Sequence, residues 1–382
     1  MTRRTLFDAT HDMFRETVRR FIEDEIAPFH DQWERDGIVP RALWRKAGAL
    51  GLLCTNMPEE YGGGGTDWTF NAVLIEEMWR AGVSGPAAGF MIQSEMVAPY
   101  ILAWGSEAMK RRILPRMARG ELVGAIAMTE PGAGSDLKAI TTRAVRTGDD
   151  YVVSGQKVYI SNGQSCDVIV MAVKTDASKG AAGVSLILAE VPCDGFERGR
   201  NLDKIGMHAQ DTSELFFDNM RVPAANLLGD EGQGFAMLMT KLAHERMSQA
   251  VRSVAVAEAS LRNTIEYTKE RRAFGGTIAD FQNTQFVLAQ LDAEITAARV
   301  FTDWAVEQFM LDALDPLDAA RLKLVTCELQ GKVVDQCLQF FGGYGYMTEY
   351  PIARAFVDAR ISRIAGGAVE VMKHIIARDV FK

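Results

Sequence analysis

The apolar residues of this chain keep two different periods, and the switch from one to the other and back limits what it can fold into. Residues 8–36 repeat every three to four positions through Phe14, Val18, Phe21, Ile22 and Ile26 with charges between them, the spacing of a helix with one buried face. RALWRKAGALGLL (41–53) and FNAVLIEEMWRAG (70–82) continue in that style, parted by the loop MPEEYGGGGTDW (57–68). After Glu121 the period drops to two. TTRAVRTGDDYVVSGQKVYISNG alternates around Gly148-Asp149-Asp150, and DVIVMAV and GVSLILAEV are short β-rich runs bounded by turn residues. Helical spacing returns at Gly232 in four long segments, 233–272, 282–311, 316–341 and 350–380, broken at AFGGT, LDALDP and FGGYGY.

The expected architecture is α+β and multidomain: a helical domain over 1–123, a β domain over 124–230 and a four-helix bundle over 231–382. No long helical pattern separates the strand runs, so antiparallel hairpins are favoured over a parallel doubly wound sheet. Long helices with short connections pack as an antiparallel bundle.

Composition narrows the function classes. No apolar run approaches the length of a membrane span, and a formal net charge of −8 excludes a general field attracting nucleic acid. Any anionic ligand must be held locally. The five cysteines, Cys54, Cys166, Cys193, Cys327 and Cys337, are scattered without CxxC or zinc-ligand spacing, so no metal site is expected. Scattered thiols, with an N-terminal MTRRTLFDATHDMFRE that lacks an apolar run and carries acids, make a cytoplasmic location the expectation.

Several short stretches offer chemistry. TEPGAGSD (129–136) presents Gly132 and Gly134 for close backbone approach, with Thr129 and Ser135 hydroxyls as donors to a flat ring or a phosphate; a plain tight turn explains it equally well. In KVYISNG (157–163) a period of two brings Tyr159 and Ser161 to one face. On its own Tyr159 reads as core. ERRAFGG (270–276) could serve a pyrophosphate through its arginines or be a basic helix end matched to the helix dipole, and LQFFGGYGY (338–346) could be a simple break. LAHERM (242–247) sets Glu245 among apolar helix neighbours, a candidate general base, with a pair to Lys241 as the structural alternative and His244 as a spectator. SRIAGGAVEVMKHIIAR (362–378) places Gly366-Gly367 at the doorstep of a helix, either to turn the chain or to leave N–H groups free for an oxyanion.

In order along the chain, TEPGAGSD, GQKVYISNG, ERRAFGG, LQFFGGYGYMTEYP and ARISRIAGGAVEVMKHIIAR resemble the signature set of the acyl-CoA dehydrogenase family, and GSEAMKRRILP and GMHAQDTSELFFDNMRVP extend the resemblance over essentially the whole chain. It implies a helical domain, an antiparallel β-barrel-like middle domain and a four-helix bundle, assembled as a homotetramer with FAD held between subunits. Thr129, Gly134, Ser135, Tyr159 and Ser161 would lie along the flavin. Arg271, Phe274, Gln282, Gln339, Gly342, Gly343 and Glu370 would complete cofactor binding, Arg271, Phe274, Gln339 and Gly343 reaching the FAD of a neighbouring subunit.

Many family members carry their catalytic glutamate where this chain has Gly366. The long-chain and isovaleryl branches instead carry glycine there and a Glu-Arg pair on the first bundle helix, which LAHERM matches. The resemblance therefore makes Glu245 the base and the Gly366 N–H a donor to the thioester oxygen, with Arg246, Ala365 and Gly367 beside the substrate. The implied reaction is α,β-dehydrogenation of an acyl-CoA to the trans-2-enoyl thioester, with electrons passed to electron-transfer flavoprotein. Relatives hold Tyr where this chain has Ala365, which either leaves space for a branched or alicyclic acyl group there or lets another side chain move in. A dehydrogenase of acyl groups on a carrier protein, an acyl-CoA oxidase and a catalytically silent flavin- or acyl-binding relative remain alternatives. Oxidases of this kind usually extend further in a C-terminal helical region, and this chain stops at Lys382.

Overall fold

The structure is a computed structural model and describes residues 4–382. Seven helices precede the sheet: α1 (Ala9–Phe21), α2 (His30–Asp36), α3 (Arg41–Ala49), α4 (Trp68–Arg80), α5 (Ser84–Met91), α6 (Ala98–Trp104) and α7 (Glu107–Ala118). Eight strands follow: β1 (Gly124–Ala127), β2 (Arg143–Thr147), β3 (Asp150–Ser161), β4 (Val168–Lys174), β5 (Val184–Glu190), β6 (Phe196–Asn201), β7 (Thr212–Pro223) and β8 (Leu227–Leu228). The last third holds α8 (Gly234–Glu270), a hairpin of β9 (Arg272–Ala273) and β10 (Gly276–Thr277), α9 (Gln282–Met310), α10 (Pro316–Phe341), α11 (Pro351–Ala359) and α12 (Val369–Val380).

The sheet runs in the order β6-β7-β3-β2-β4-β5-β8, with β1 added on β4. Antiparallel pairing dominates, as the short connections require, with two exceptions: β1 runs parallel to β4 in the register Gly124↔Val168, and β2 meets β4 in parallel at Arg143↔Lys174. β4 shows why its run VIVMAVK lacks alternation. Val168, Val170 and Ala172 pack with Ile101, Ile113 and Leu186 under the helices, whereas Ile169, Met171 and Val173 pack with Tyr151, Val153 and Leu215 inside the sheet. Successive side chains leave opposite faces and both faces are covered, so every position is apolar.

The N-terminal helices share one core with the bundle. Phe21, Trp44, Trp68 and Trp79 pack with Met247, Val251, Ala255, Val306 and Leu322. Beside it the fully buried Glu76 accepts from Arg4 and Arg299, and Arg80 and Arg299 both reach Glu258. Burial opposes the charge on Glu76, but Arg299, Arg4 and Arg80 outweigh it and hold its carboxyl well below the usual range. Helices α4, α8 and α9 are thereby pinned, and α8, which carries Glu245, cannot slide relative to α4 without breaking these contacts.

The segment expected as one helix over 350–380 is broken. α11 stops at Ala359, one 3₁₀ turn covers Arg360–Arg363, and Gly366 and Gly367 adopt φ of 66° and 92° before α12 starts. Hydrophobic period cannot see this break, because the apolar positions on either side stay near helical phase. The left-handed backbone at both glycines causes it.

Candidate active site

Glu245 lies in the interior of α8, 2% exposed. Its Oε1 accepts from the Tyr100 hydroxyl at 3.2 Å. Burial pushes its pKa up to about 7, although that hydrogen bond and the charges of His244, Arg246 and Lys241 favour the carboxylate. The alternative pairing to Lys241 is not formed; that ammonium sits 5.5 Å from the centre of the Trp104 ring. Arg246 is buried beside Glu245, and its Nε has no partner.

His244 faces away from Glu245 and is packed into a polar network of its own. Its Nε2 lies 2.8 Å from Glu95 Oε2, and its ring stacks on Phe309 at 4.8 Å. Glu95 is 2% exposed and also accepts from Trp68 Nε1, Asn71 Nδ2 and Ser248 Oγ. It stands on the π-helical stretch Ile92–Val97, between α5 and α6. Adjacent helical residues do point apart, as expected, but the far side of α8 is packed as tightly as the near side. The polar triplet Gln93-Ser94-Glu95 inside an apolar run was the available signal for this network, and Tyr100 follows one and a half turns later.

Gln249 joins Glu245 to the glycine loop. It is four residues further along α8, hence on the same helix face, and a Cβ built on Gly366 would lie 3.6 Å from Gln249 Cγ and 3.9 Å from Lys323 Nζ. Lys323, from the middle of α10, is fully buried and donates to the Ala365 carbonyl at 2.6 Å and to the Gly367 carbonyl. Burial above all, with Arg252 and Arg246 adding to it, lowers its pKa to about 8, against a weaker opposing effect of Cys327. Among the described residues, Arg246, Arg252 and Lys323 have no carboxylate within ion-pair distance, and none accepts a hydrogen bond from the Gly366 N–H. The loop therefore offers a backbone donor without an acceptor, gripped by an ammonium that forms no ion pair, and faces the helix that carries Glu245.

The cofactor candidates form two groups. In the first, Glu130 anchors the TEPGAGSD loop: its carboxylate accepts from the N–H groups of Thr141 and Thr142 and from the buried Lys157 Nζ at 2.9 Å. Val158 N–H donates to the Thr129 carbonyl at 3.0 Å, fixing that loop against β3. The period-two reading of β3 fails here, because the register with β7 slips between Lys157 and Ile160 and Tyr159 takes a φ of 60°. This bulge throws Tyr159 outward, 68% exposed, so it is not core. Ser161 and Thr129 are half-buried, Gly134 and Ser135 exposed, and a Cβ on Gly132 or Gly134 would meet nothing within 4 Å.

In the second group, Arg271, Gln339, Gly342, Gly343 and Tyr344 line one cleft of about 500 Å³. The Arg271 guanidinium stands 5.5 Å from the centre of the Tyr344 ring, and neither glycine would touch anything with an added Cβ. The β9–β10 hairpin turns through Phe274 and Gly275 at φ of 53° and 89° and leaves the Phe274 ring 98% exposed. Gln282 opens α9, and Glu370 lies exposed in the first turn of α12. Exposed aromatic faces, an unpaired arginine and glycines with open space fit a flat ring carrying a pyrophosphate. Among the described residues no hydrogen bond links the first group to the second, and the cleft belongs to the second alone. Ala365 and Gly367 are half-buried in the loop that Lys323 holds.

Comparisons with known proteins agree along the whole chain. The family descriptions Acyl-CoA dehydrogenase N-terminal, middle and C-terminal domain match residues 8–121, 125–220 and 232–381. The chain is 44% identical over 379 residues to the mitochondrial long-chain specific acyl-CoA dehydrogenase of Rattus norvegicus, covering 99% of this chain and 88% of that one. It superposes on an acyl-CoA dehydrogenase from Geobacillus kaustophilus with a TM-score of 0.96 at 43% identity, covering 99% and 100% of the two chains. A glutaryl-CoA dehydrogenase from Mycobacterium smegmatis in complex with FADH2 superposes with a TM-score of 0.91 at 27% identity, covering 98% and 95%.

Proposed function

The chain belongs to the acyl-CoA dehydrogenase family of oxidoreductases, and from that premise we propose that it converts an acyl-CoA to the trans-2-enoyl-CoA with Glu245 as the sole base. One observation carries this reading: a buried carboxylate with its pKa pushed up to about 7 shares a helix face with Gln249, which lies against Gly366, whose N–H has no acceptor among the described residues. The α-proton of a thioester is weakly acidic. Its removal needs a base poised near the working pH and donors for the charge growing on the thioester oxygen. Glu245 takes the proton. The Gly366 N–H receives the oxygen, and the Lys323 ammonium behind the loop favours the enolate over the neutral thioester.

Thr129, Gly134, Ser135, Tyr159 and Ser161 hold FAD within one subunit, while Arg271, Phe274, Gln282, Gln339, Gly342, Gly343 and Glu370 complete the binding of cofactor, in part from a second copy. FAD, when bound, supplies the two-electron acceptor for the β-hydrogen. The exposed Phe274, and Phe286, Val300 and Val325 on the bundle surface, support an assembly of several copies, a tetramer in this reading. Electron-transfer flavoprotein is the proposed onward acceptor. The five free thiols suit a reducing, cytoplasmic compartment. Ala365 in place of a ring leaves room for bulk near the reacting carbons.

An anaerobic screen of straight, methyl-branched and alicyclic acyl-CoAs, watching the flavin bleach, tests the reading. Bleaching by at least one acyl-CoA and its loss in Glu245→Gln are expected; a flavin that no acyl thioester bleaches overturns it.

A further inference from the structure

Lys323 is a burial that packing alone does not call for. An ammonium taken out of water is costly unless paired with an opposite charge, yet this one meets only the carbonyls of Ala365 and Gly367 and lies in the field of Arg246 and Arg252. A side-chain amide, with two N–H donors, could satisfy two carbonyls without that cost. The two carbonyls flank the peptides of Gly366 and Gly367, whose left-handed backbone glycine adopts readily and residues with a side chain do not.

The direction of these bonds matters more than their number. The Ala365–Gly366 peptide is trans, Val191–Pro192 being the cis bond among the described residues. In a planar trans peptide the C=O and the N–H point opposite ways. Drawing the Ala365 oxygen toward Lys323 therefore turns the Gly366 N–H away from α10, the side on which it has no acceptor in the chain. A cation on the carbonyl end also polarises the peptide and strengthens the N–H as a donor.

We infer that Lys323 is a positioning residue: by gripping the Ala365 and Gly367 carbonyls it aims and polarises the Gly366 N–H that receives the thioester oxygen. This rests on the proposed reaction. Lys323 touches neither substrate nor cofactor in this role and acts through the loop.

Acetoacetyl-CoA tests it without turnover, because its α-carbon is acidic and its enolate absorbs in the near ultraviolet. Titrated against pH on the flavin-loaded enzyme, the wild type should stabilise the bound enolate relative to the free ligand. Lys323→Met should hold roughly tenfold less enolate at the same pH, short of the roughly 10²–10³-fold for outright loss of an oxyanion donor. With the best acyl-CoA, kcat should fall by a similar factor while KM moves less than about threefold. If Lys323→Met does not fold, Lys323→Gln, which keeps a donor without the charge, is read in the same assay. A lowered melting temperature with unchanged enolate fraction and unchanged kcat means the lysine only braces the loop, and overturns the inference. No enolate shift in the wild type overturns the proposed reaction, and the inference with it.

Discussion

The hydroxyl of Tyr100 on α6 donates to the Glu245 carboxylate on α8 at 3.2 Å, and both side chains are buried. A hydrogen bond to the charged form stabilises that form, so this bond lowers a pKa that burial raises. Tyr100→Phe should move the acidic limb of the kcat/KM profile upward from about 7 by roughly one unit. Activity rises with pH there because the base must be ionised. An unmoved limb would mean that the titrating group is not Glu245.

Glu245→Gln separates the catalytic from the structural consequence of the same carboxylate. Turnover should fall by roughly 10²–10⁴, the usual cost of losing a general base, with FAD still bound. Stability should move the other way. The folded pKa of about 7 lies above the ordinary carboxyl value of 4.5, so between those pH values the native state binds more protons than the unfolded one, and the wild type loses stability as pH rises through the window. The glutamine variant lacks that loss. Urea melts at pH 5 and pH 8 should show its advantage over wild type widening, by roughly 3 kcal/mol at most; a constant gap would contradict the raised pKa.

Glu245 was legible in the sequence as a candidate because a carboxylate sits amid Leu238, Leu242 and Met247, and the resemblance to a branch with a Glu-Arg pair on this helix singled it out. Its surroundings were not. Lys323 sits between Leu322 and Leu324, and a lone lysine in an amphipathic helix reads as solvated. Its burial comes from a loop more than forty residues away in sequence, which periodicity on α10 cannot report. The same holds for Tyr159. Strict alternation put it on a face with Ser161, but an extra residue against β7 re-aimed it, and a bulge leaves no mark in hydropathy. The change from helical to strand period and back was readable because it is a property of long segments, each with its own buried face.

Arg271 tests the cofactor cleft. It lies beside Gln339 and Gly343 with only the Tyr344 ring beneath its guanidinium. Arg271→Ala should lower flavin content and melting temperature together, and excess FAD should restore the melting temperature, as mass action requires of a ligand bound only to the folded state. Size-exclusion chromatography of the wild type should show an oligomer. A wild-type monomer with full flavin would rule out sites completed by a second copy.

Moving the base to Gly366 asks whether the loop can host the reaction from its other end. A Cβ there would meet Gln249 and Lys323 only at 3.6 and 3.9 Å, ordinary contact distances, but the φ of 66° disfavours any residue with a side chain by roughly 1–2 kcal/mol. Gly366→Glu in the Glu245→Gln background should therefore melt lower than Glu245→Gln alone and still recover part of the lost turnover. The recovered activity should also carry a different pH signature. A carboxylate at 366 would stand near the Lys323 ammonium, with Arg246 and Arg252 behind it, and opposite charges lower a carboxyl pKa where burial alone raises it. Its acidic limb should fall below about 7, giving a base ionised at lower pH but weaker once ionised. Recovered turnover with a limb still at about 7 would place the titrating group elsewhere, and no recovery at any pH would show that the left-handed loop cannot aim a carboxylate at the α-carbon.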